Sequence, residues 1–290
     1  MGKGIIDRVA DSLWGSKSSG ITVRELTDRD EIREILDRER AYAATVVVYL
    51  EPKYSHNTRC YLAEGESEAL CLQVLGTYGS AIFTMGDTKG VAAILRSRPC
   101  PRSTYMSFQP SHLGLLRSQY FLYRRQSLAR MYVTTETFTT IDGAAVPLSD
   151  DQFQEVNALY SVDGTGWVSR QSIAEGVYYG VWDGRKLVSV AGTQSISRVY
   201  GVGVVANVFT HPDYRGQGYA TACTGAVTAK LMESCDYVVL NVDPTNTPAV
   251  RAYTKLGYRE EARLEEAWGF RHGLSWLGGI SVFLDRLLKG

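Results

Sequence analysis

The sequence lacks an excess of charge of either sign, because its 290 residues contain 31 lysines and arginines against 31 aspartates and glutamates. This balance gives no basis for binding nucleic acid, which proteins contact through clustered basic residues. A long hydrophobic run is missing too. The longest, AYAATVVVYL at 41–50, is about half of the roughly 20 residues that span a bilayer. We therefore expect a cytoplasmic protein that binds neither nucleic acid nor a membrane.

The chain is also poor in the patterns that bind metals or form disulfides. Its five cysteines are scattered and odd in number, and no Cys-x-x-Cys pair occurs. Its four histidines are widely separated in sequence and show no ligand spacing. These absences exclude a disulfide framework and a zinc knuckle, so the sequence predicts reduced thiols and no metal.

The length of the chain suits two compact domains better than one. Residues 1–20 carry apolar residues at helical spacing before a flexible GSKSSG, which predicts an N-terminal helical arm. A turn-rich stretch, TTIDGAAVPLS at 139–149, marks a boundary. The sequence thus predicts one domain over 21–138 and a second over 139–290.

The two predicted domains repeat one order of elements. In the first, TYMSFQP is followed by HLGLLRSQY, and in the second, DYVVLNVDP is followed by TPAVRAYTKLGY. Each pair is a strand pattern followed by a helix pattern. A single helix is also expected over 28–50, near the start of the first domain. The order predicts a duplicated α/β unit, and chance agreement between two α/β patterns is the alternative.

A glycine-rich turn in the second domain, HPDYRGQGYATA at 211–222, lies between a predicted strand and a predicted helix. Gly216 and Gly218 allow a tight turn and a close approach to the backbone. The free N–H groups and the positive end of the helix would form an anion site suited to phosphate. The turn matches neither a Walker loop nor a dinucleotide fingerprint. Many strand–helix turns are rich in glycine and bind nothing, which is the alternative here.

A second motif follows in LNVDPTNTPAVRAYTKLGY at 240–258, where Thr247 is the predicted N-cap of a helix and Pro248 its first residue. Together, the two motifs resemble the GNAT N-acetyltransferase superfamily. They resemble more closely its bacterial branch related to glycine N-acyltransferases, although Ala206 stands where that branch often has glycine. The match is good over 177–270, and over 21–138 it rests on the order of the elements alone.

The resemblance implies an α/β (α+β) fold of two GNAT-like domains, each a mixed, mostly antiparallel sheet flanked by helices. It implies acetyl-CoA as co-substrate, with its pyrophosphate on main-chain N–H groups of the turn and its pantetheine along the fourth strand. The residues expected to bind it are Val208, Phe209, Thr210, Arg215, Gly216, Gln217, Gly218, Tyr219, Ala220, Thr221 and Asn246. The first domain reads GDTKGVAA where the turn should be, which implies a degenerate domain without a site.

The resemblance also assigns Tyr253 as the catalytic residue that donates a proton to the departing thiolate, although Tyr253 could equally be a core residue. The N–H of Val208 would polarise the thioester carbonyl. Asn246 is either a cofactor contact or a turn residue, and Arg215 either binds phosphate or is solvated. The general base stays open. The candidates are Asn207 through an ordered water and the carboxylates of Glu175, Asp243 and Glu266, whereas His211 is expected to be structural.

The predicted function is an acyl-CoA-dependent N-acyltransferase of the EC 2.3.1 type that transfers acetyl, or another short acyl group, to a primary amine. The amine would attack directly in a ternary complex, because Cys223 lies on the packed face of a helix. The acceptor would be a small molecule or a peptide, and the protein a monomer or a homodimer. Four aromatic residues would line an acceptor pocket or belong to the core: Trp167, Tyr178, Tyr179 and Trp182. The alternative function is a non-catalytic acyl-CoA sensor or scaffold.

Overall fold

The computed structural model of the protein describes residues 20–76, 79–164 and 166–272. The helical arm predicted over residues 1–20 lies outside this part of the chain, apart from Gly20. None of the helices in the described ranges has the length and hydropathy needed to cross a bilayer. All five cysteines are free thiols, as the absence of a pairing pattern predicted.

The contacts divide the chain into two compact units. Of the described residues, the first unit comprises 20–27, 59–76, 79–122 and 269–272, and the second comprises 28–58, 123–164 and 166–268. Residues 28–58 therefore pack with the second half of the chain, whereas the sequence analysis grouped them with the first domain. The compact units are not divided near residue 139, where the sequence predicts a boundary between domains. That domain boundary stays a prediction.

The first unit contains five neighbouring strands in the order β1-β2-β3-β4-β5. The strands are β1 (Ile21–Leu26), β2 (Thr58–Gly65), β3 (Ala69–Gly76), β4 (Gly79–Gly86) and β5 (Ser103–Phe108). β1 is antiparallel to β2 and β3 to β4, whereas β4 and β5 are parallel. A parallel pair needs a crossover connection, and here the helix Thr88–Ser97 supplies it. A short helix, Leu113–Gln119, follows β5.

The second unit is built on seven strands in the order β12-β6-β11-β10-β9-β8-β7. They are β6 (Tyr120–Thr134), β7 (Val146–Pro147), β8 (Tyr179–Asp183), β9 (Lys186–Ser197), β10 (Val202–Thr210), β11 (Tyr237–Val242) and β12 (Arg259–Arg271). Among the pairs with a described register, only β10 and β11 are parallel. The mixed α/β fold with mostly antiparallel sheets is thereby confirmed.

The helices are numbered in chain order. They are α1 (Arg29–Asp37), α2 (Arg40–Ala43), α3 (Thr88–Ser97), α4 (Leu113–Gln119), α5 (Phe153–Tyr160), α6 (Arg170–Glu175), α7 (Tyr219–Met232) and α8 (Thr247–Lys255). In each unit a helix connects the two parallel strands, α3 between β4 and β5 and α7 between β10 and β11. The order of elements thus recurs, while duplication itself stays a prediction.

The single helix predicted over 28–50 is wrong. α1 ends at Asp37, Glu39 has the non-helical angles φ −128° and ψ 57°, and the chain continues as α2 and a 3-10 turn, Val47–Leu50. The β-branched run at 45–48 has low helix propensity, which accounts for the end of α2 at Ala43. The earlier break at Glu39 is not explained by this run. The end of α2 leaves residues 47–57 as an irregular segment.

Polar contacts, some buried and one exposed, hold this early segment in the second unit. Arg130, which is fully buried on β6, donates from Nη1 to the Ala41 carbonyl at 3.3 Å. Arg40 lies 3.3 Å from Asp236, and Ser197 donates to Glu51 Oε1 at 2.6 Å. A buried guanidinium requires such acceptors, so residues 28–58 complete the second unit.

Candidate active site

The two parallel strands of the second unit separate halfway along their length. β10 pairs with β11 from Val202–Tyr237 to Val205–Leu240, and no further pair follows. Beyond that point the strands border a cleft of about 380 Å³, lined by residues 205–209 of β10, residues 240–242 of β11 and Asp243. An edge of β10 therefore faces the cleft without a strand partner on that side, which is the arrangement that pairs with an added extended chain.

A β-bulge in β10 produces this separation. Ala206 pairs with Gly192 of β9, and Phe209 pairs with Val190, so Asn207 and Val208 together oppose a single residue. Asn207 has a φ of 57°, the left-handed conformation that asparagine tolerates better than most residues. Bulges bend the strand that contains them, so this one turns β10 away from β11.

Two tyrosines fix the bulge. Tyr160, at the end of α5, donates from its hydroxyl to the Asn207 carbonyl at 2.6 Å. The Asn207 amide donates to the Tyr178 hydroxyl at 2.9 Å. The Tyr178 ring covers Gly192, where any Cβ would lie 2.2 Å from the ring. Burial raises the pKa of both tyrosine hydroxyls, so they stay neutral donors.

The glycine-rich turn lies at the N-terminus of α7. Gly216 and Gly218 have φ values of 79° and 81°, and a Cβ added to either would meet no atom within 4 Å. The turn therefore requires glycine because of its positive φ angles, whereas a Cβ at either position would have enough space. Gly218 is the N-cap, and no side chain of the described residues caps this end. The N–H groups of the first turn are consequently available to a ligand.

Charged side chains of both signs lie around this turn, the cations being Arg215 and Lys186 and the carboxylates Asp183 and Asp213. Arg215 donates from Nε to the Thr210 carbonyl at 3.3 Å, so its side chain folds back on the end of β10. Lys186 Nζ lies 3.1 Å from His211 Nε2. His211 Nδ1 accepts from the Asp213 N–H at 3.3 Å, which supports its predicted structural role. Together with the helix N-terminus, these cations favour an anion at the turn.

Tyr253 lies on α8 and lines the cleft. Its side chain is largely buried, and burial raises the pKa of the hydroxyl to about 12. Its ring lies 6.2 Å from the ring of Tyr258. Within the described ranges its hydroxyl has no hydrogen-bond partner, whereas the Tyr258 hydroxyl lies 2.8 Å from Thr228 Oγ1. Tyr253 thus packs in the core and also lines the cleft, and its catalytic role stays a prediction.

The predicted N-cap of α8 is wrong by one residue. The cap is Asn246, whose Oδ1 accepts from the Ala249 N–H at 3.2 Å, so Thr247 is the first helical residue and Pro248 the second. Asparagine is at least as good a cap as threonine, which explains the shift. Asn246 also lines the cleft. It therefore caps α8 and also lies next to the predicted cofactor site.

The remaining predicted cofactor residues divide into two groups. Val208 and Phe209 line the cleft, whereas Thr210 pairs with β9, and its hydroxyl lies 2.8 Å from Ser189 Oγ. Residues 215–218 are exposed, and Tyr219, Ala220 and Thr221 form the half-buried first turn of α7. Val208, Phe209 and Asn246 therefore lie at the cleft and residues 215–221 at the turn, whereas the Thr210 hydroxyl faces β9. Their part in cofactor binding stays a prediction.

The three carboxylates considered as the general base have different hydrogen-bond partners. Asp243 borders the cleft, but it accepts from the Thr245 N–H and hydroxyl at 2.8 and 2.7 Å, and these bonds lower its pKa. Glu266 accepts from the Asn241 amide at 3.2 Å, and Glu175 accepts from Gln171 at 2.7 Å. A carboxylate with a lowered pKa is a weak base, so Asp243 is poorly suited to the task.

Cys223 is excluded as an acyl carrier by its burial. It is fully buried on α7, and burial raises the pKa of its thiol to about 12. A thiol is a nucleophile only as the thiolate. The direct attack predicted from the sequence therefore agrees with the position of this residue.

The corresponding place in the first unit is filled by side chains. The Asp87 carboxylate caps α3 and accepts from the Lys89 N–H at 2.7 Å. Where β4 and β5 end, Gln109 accepts from the Gly86 N–H at 3.0 Å, and His112 Nε2 lies 2.9 Å from the Gly86 carbonyl. A negative charge occupies this helix end, which opposes a phosphate group there.

A second, larger cavity of about 870 Å³ shares Gln194, Ala206 and Asn207 with the cleft. Of the four aromatic residues considered for an acceptor pocket, Trp167 and Tyr178 line this cavity. Trp167 is 73% exposed, so it is not a core residue. Tyr179 and Trp182 pack against hydrophobic clusters instead.

Two residues of the site, Tyr160 and Asn241, were not among those predicted from the sequence. Tyr160 closes an unremarkable helix, and Asn241 sits in a strand of valines. Asn241 lines the cleft, and its Oδ1 accepts from the buried Arg130 Nε at 2.6 Å. A polar residue in an apolar strand was the available hint, because such residues need a partner.

Comparisons with known proteins agree with this geometry. Residues 148–258 match the family model described as Acetyltransferase (GNAT) family. No curated protein matches the chain. A Drosophila protein of solved structure is 11% identical, covers 86% of this chain and 98% of its own, and has a TM-score of 0.62.

Two bacterial structures have similar folds. A GCN5-related N-acetyltransferase from Sphaerobacter thermophilus is 14% identical, covers 89% of this chain and 98% of its own, and has a TM-score of 0.54. One from Kribbella flavida is 16% identical, covers 69% and 86%, and has a TM-score of 0.53. At these identities the structures show a shared fold alone. With the family model they support the GNAT acetyltransferase superfamily, while the branch and the tandem arrangement stay predictions.

Proposed function

We propose that the protein is an acetyl-CoA-dependent N-acetyltransferase with one active site, in the second unit. The observation that carries this proposal is the cleft between β10 and β11, which has an unpaired strand edge and Tyr253 on its walls. The N-terminus of α7, free of any described capping side chain, follows the end of β10. The match to the GNAT family model covers all three elements.

The residues present fit an acyl-CoA thioester. The open space at Gly216 and Gly218 admits a diphosphate close to the backbone, and the first-turn N–H groups of α7 are suited to bind it. The unpaired edge of β10 would pair with the two amides of the pantetheine arm. Val208 lies in the bulge and lines the cleft, and its N–H is the proposed donor to the thioester carbonyl.

Acetyl-CoA, when bound, supplies the acetyl group as a thioester. The amine nitrogen bonds to the acetyl carbon and the carbon–sulfur bond breaks, which yields an amide and a thiol. With a pKa of about 12, Tyr253 is a weaker acid than a thiol, whose pKa is near 8.5. Tyr253 therefore stays protonated and donates a hydrogen bond to the departing sulfur, and the proton released by the amine neutralises the thiolate through solvent.

The experiment is a thiol-release assay with the full chain, acetyl-CoA and a panel of primary amines. Calorimetry with CoA alone measures cofactor binding in parallel. Amine-dependent thiol release with saturation in both substrates is the expected result. Failure of CoA to bind at millimolar concentration would contradict the proposal.

A non-catalytic acyl-CoA sensor remains the second candidate, and one observation favours it. Asp243 is the one carboxylate among the described residues that line the cleft, and its pKa is lowered. A sensor needs no base, whereas an enzyme must remove a proton from the amine. Tight binding of CoA without turnover on any amine would identify the sensor.

A further inference from the structure

The larger cavity borders the β10 bulge, and Tyr253 is not among its lining residues. It shares Gln194, Ala206 and Asn207 with the cleft, so the two spaces meet at the bulge. An amine in this cavity would therefore reach a carbonyl group held beside Val208. The volume of about 870 Å³ is within the range of cavities that bind small molecules.

One wall of this cavity comes from the irregular segment 47–57, early in the chain. The segment is fixed by the 2.6 Å hydrogen bond from Ser197 to Glu51, and it presents Lys53 and Tyr54 to the cavity. Lys53 Nζ lies 4.9 Å from the centre of the Tyr54 ring and 3.6 Å from Glu51 Oε2. The ring and the carboxylate thus hold the ammonium group at the wall.

The charges on the walls have both signs, and Glu51, which is not a lining residue, offsets the charge of Lys53. Lys53 and Arg198 are the cations, and Glu175 is the carboxylate. The Arg198 guanidinium has no hydrogen-bond partner within the described ranges, so its donors are available to a ligand. Much of the remaining surface is hydroxyl and amide groups, including Ser169, Ser172 and Thr193.

From these charges, and resting on the proposed function, we infer that the acceptor is a small primary amine that also carries an anionic group. Lys53 and Arg198 bind that group, a carboxylate or a phosphate, and Glu175 attracts the ammonium form of the amine. A guanidinium with free donors binds either anion well. Segment 47–57 is thereby a specificity element of an active site formed mainly by residues after 150.

The test compares amines that differ only in the anionic group. One pair is 3-aminopropanoate and 3-aminopropanamide, and the other is O-phosphoethanolamine and ethanolamine. In at least one pair we expect the anionic amine to have a kcat/KM at least about tenfold higher, which is the effect of one charged hydrogen bond. The pair with the larger ratio identifies carboxylate or phosphate. Equal kcat/KM values within both pairs would overturn the inference.

Two variants and a control test the residues. Lys53→Met and Arg198→Met should each raise the KM of the anionic amine about five- to tenfold and leave kcat and the neutral amine unchanged. Both side chains are exposed, so the variants should fold. Lys89→Met removes an exposed lysine of the first unit and should change nothing. Unchanged KM values in both cavity variants would overturn the assignment.

Measurements of amine binding distinguish a failure of this inference from a failure of the proposed function. Calorimetry of each amine with the CoA-loaded protein measures acceptor affinity without any reaction. If no amine is acetylated, the proposed function fails. Tighter binding of the anionic amines would still support the inference, and equal binding would overturn it.

Discussion

Two neighbouring tyrosines should respond in opposite ways to the loss of their hydroxyl groups. The Tyr253 hydroxyl has no hydrogen-bond partner in the described part of the chain and borders the cleft, whereas the Tyr258 hydroxyl pairs with Thr228 at 2.8 Å in the core. Tyr253→Phe should therefore leave the free energy of unfolding within about 0.5 kcal/mol of the wild type. Tyr258→Phe should lower it by about 1 kcal/mol, the net value of one buried hydrogen bond.

Catalysis should show the reverse pattern. If Tyr253 donates to the departing sulfur, its loss removes a hydrogen bond to a developing charge, which is worth about 2 kcal/mol. That value corresponds to a decrease of about 30-fold in kcat. Tyr258→Phe should keep kcat within about twofold of the wild type, because no bond to the reacting atoms is lost. The assays are thiol release and denaturant unfolding of each variant.

The pH dependence gives an independent check. Burial raises the pKa of Tyr253 to about 12, so the hydroxyl stays protonated up to about pH 11. The kcat profile of the wild type should have no falling limb from this group below that pH. A Tyr253→Phe variant that loses stability but keeps kcat would refute the reasoning. So would a falling limb near pH 9 that disappears in this variant.

Three further predictions follow from the site and the first unit. Gly218→Ala should cost about 1 kcal/mol of stability because φ is 81°, and should weaken CoA binding measured by calorimetry. Gly184→Ala, at a φ of 58° in the β8–β9 turn, is its control, with a similar cost and unchanged affinity. Tyr160→Phe removes the 2.6 Å hydrogen bond to the Asn207 carbonyl and so releases the bulge. This change should lower kcat about tenfold, and the affinity for CoA is measured alongside as the reference. His112 is buried with a lowered pKa, so stability should fall as pH drops below about 6.5, where the unfolded state takes up a proton.

Each of these three predictions has an experimental outcome that would contradict it. Equal CoA affinities for Gly218→Ala and Gly184→Ala would mean that the turn does not bind the diphosphate. An unchanged kcat in Tyr160→Phe would mean that the bulge holds its shape without this tyrosine. For His112, denaturant unfolding at pH 7.5 and 5.5 should show a larger loss in the wild type than in His112→Gln, and equal losses would assign the effect to other groups.

Local patterns predicted much of the second unit. The Asp183-Gly184 pair forms the β8–β9 hairpin, with Gly184 at a φ of 58°. Gly216 and Gly218 both adopt the left-handed angles that such a turn requires. These features depend on the intrinsic preferences of a few adjacent residues, and therefore a sequence pattern can predict them.

The bulge could not be predicted in this way. Its left-handed residue, Asn207, is held by Tyr160 and Tyr178, which are 47 and 29 positions away. The packing of residues 28–58 in the second unit likewise depends on Arg130, which is 89 positions from Ala41. Contacts at such separations leave no local pattern, and here they decide where the cleft and the acceptor wall lie.

The contrast between the two helix ends explains why one site is expected and not two. In the first unit, the carboxylate of Asp87 binds an N–H of α3, and Gln109 and His112 bind the backbone of Gly86. Buried backbone groups need partners, and there the chain supplies them itself. In the second unit, the edge of β10 that faces β11 has no described strand partner beyond Val205, and no described side chain caps α7. A ligand that offers amides and a diphosphate satisfies the groups that the chain leaves free, which is why acyl-CoA is expected in the second unit.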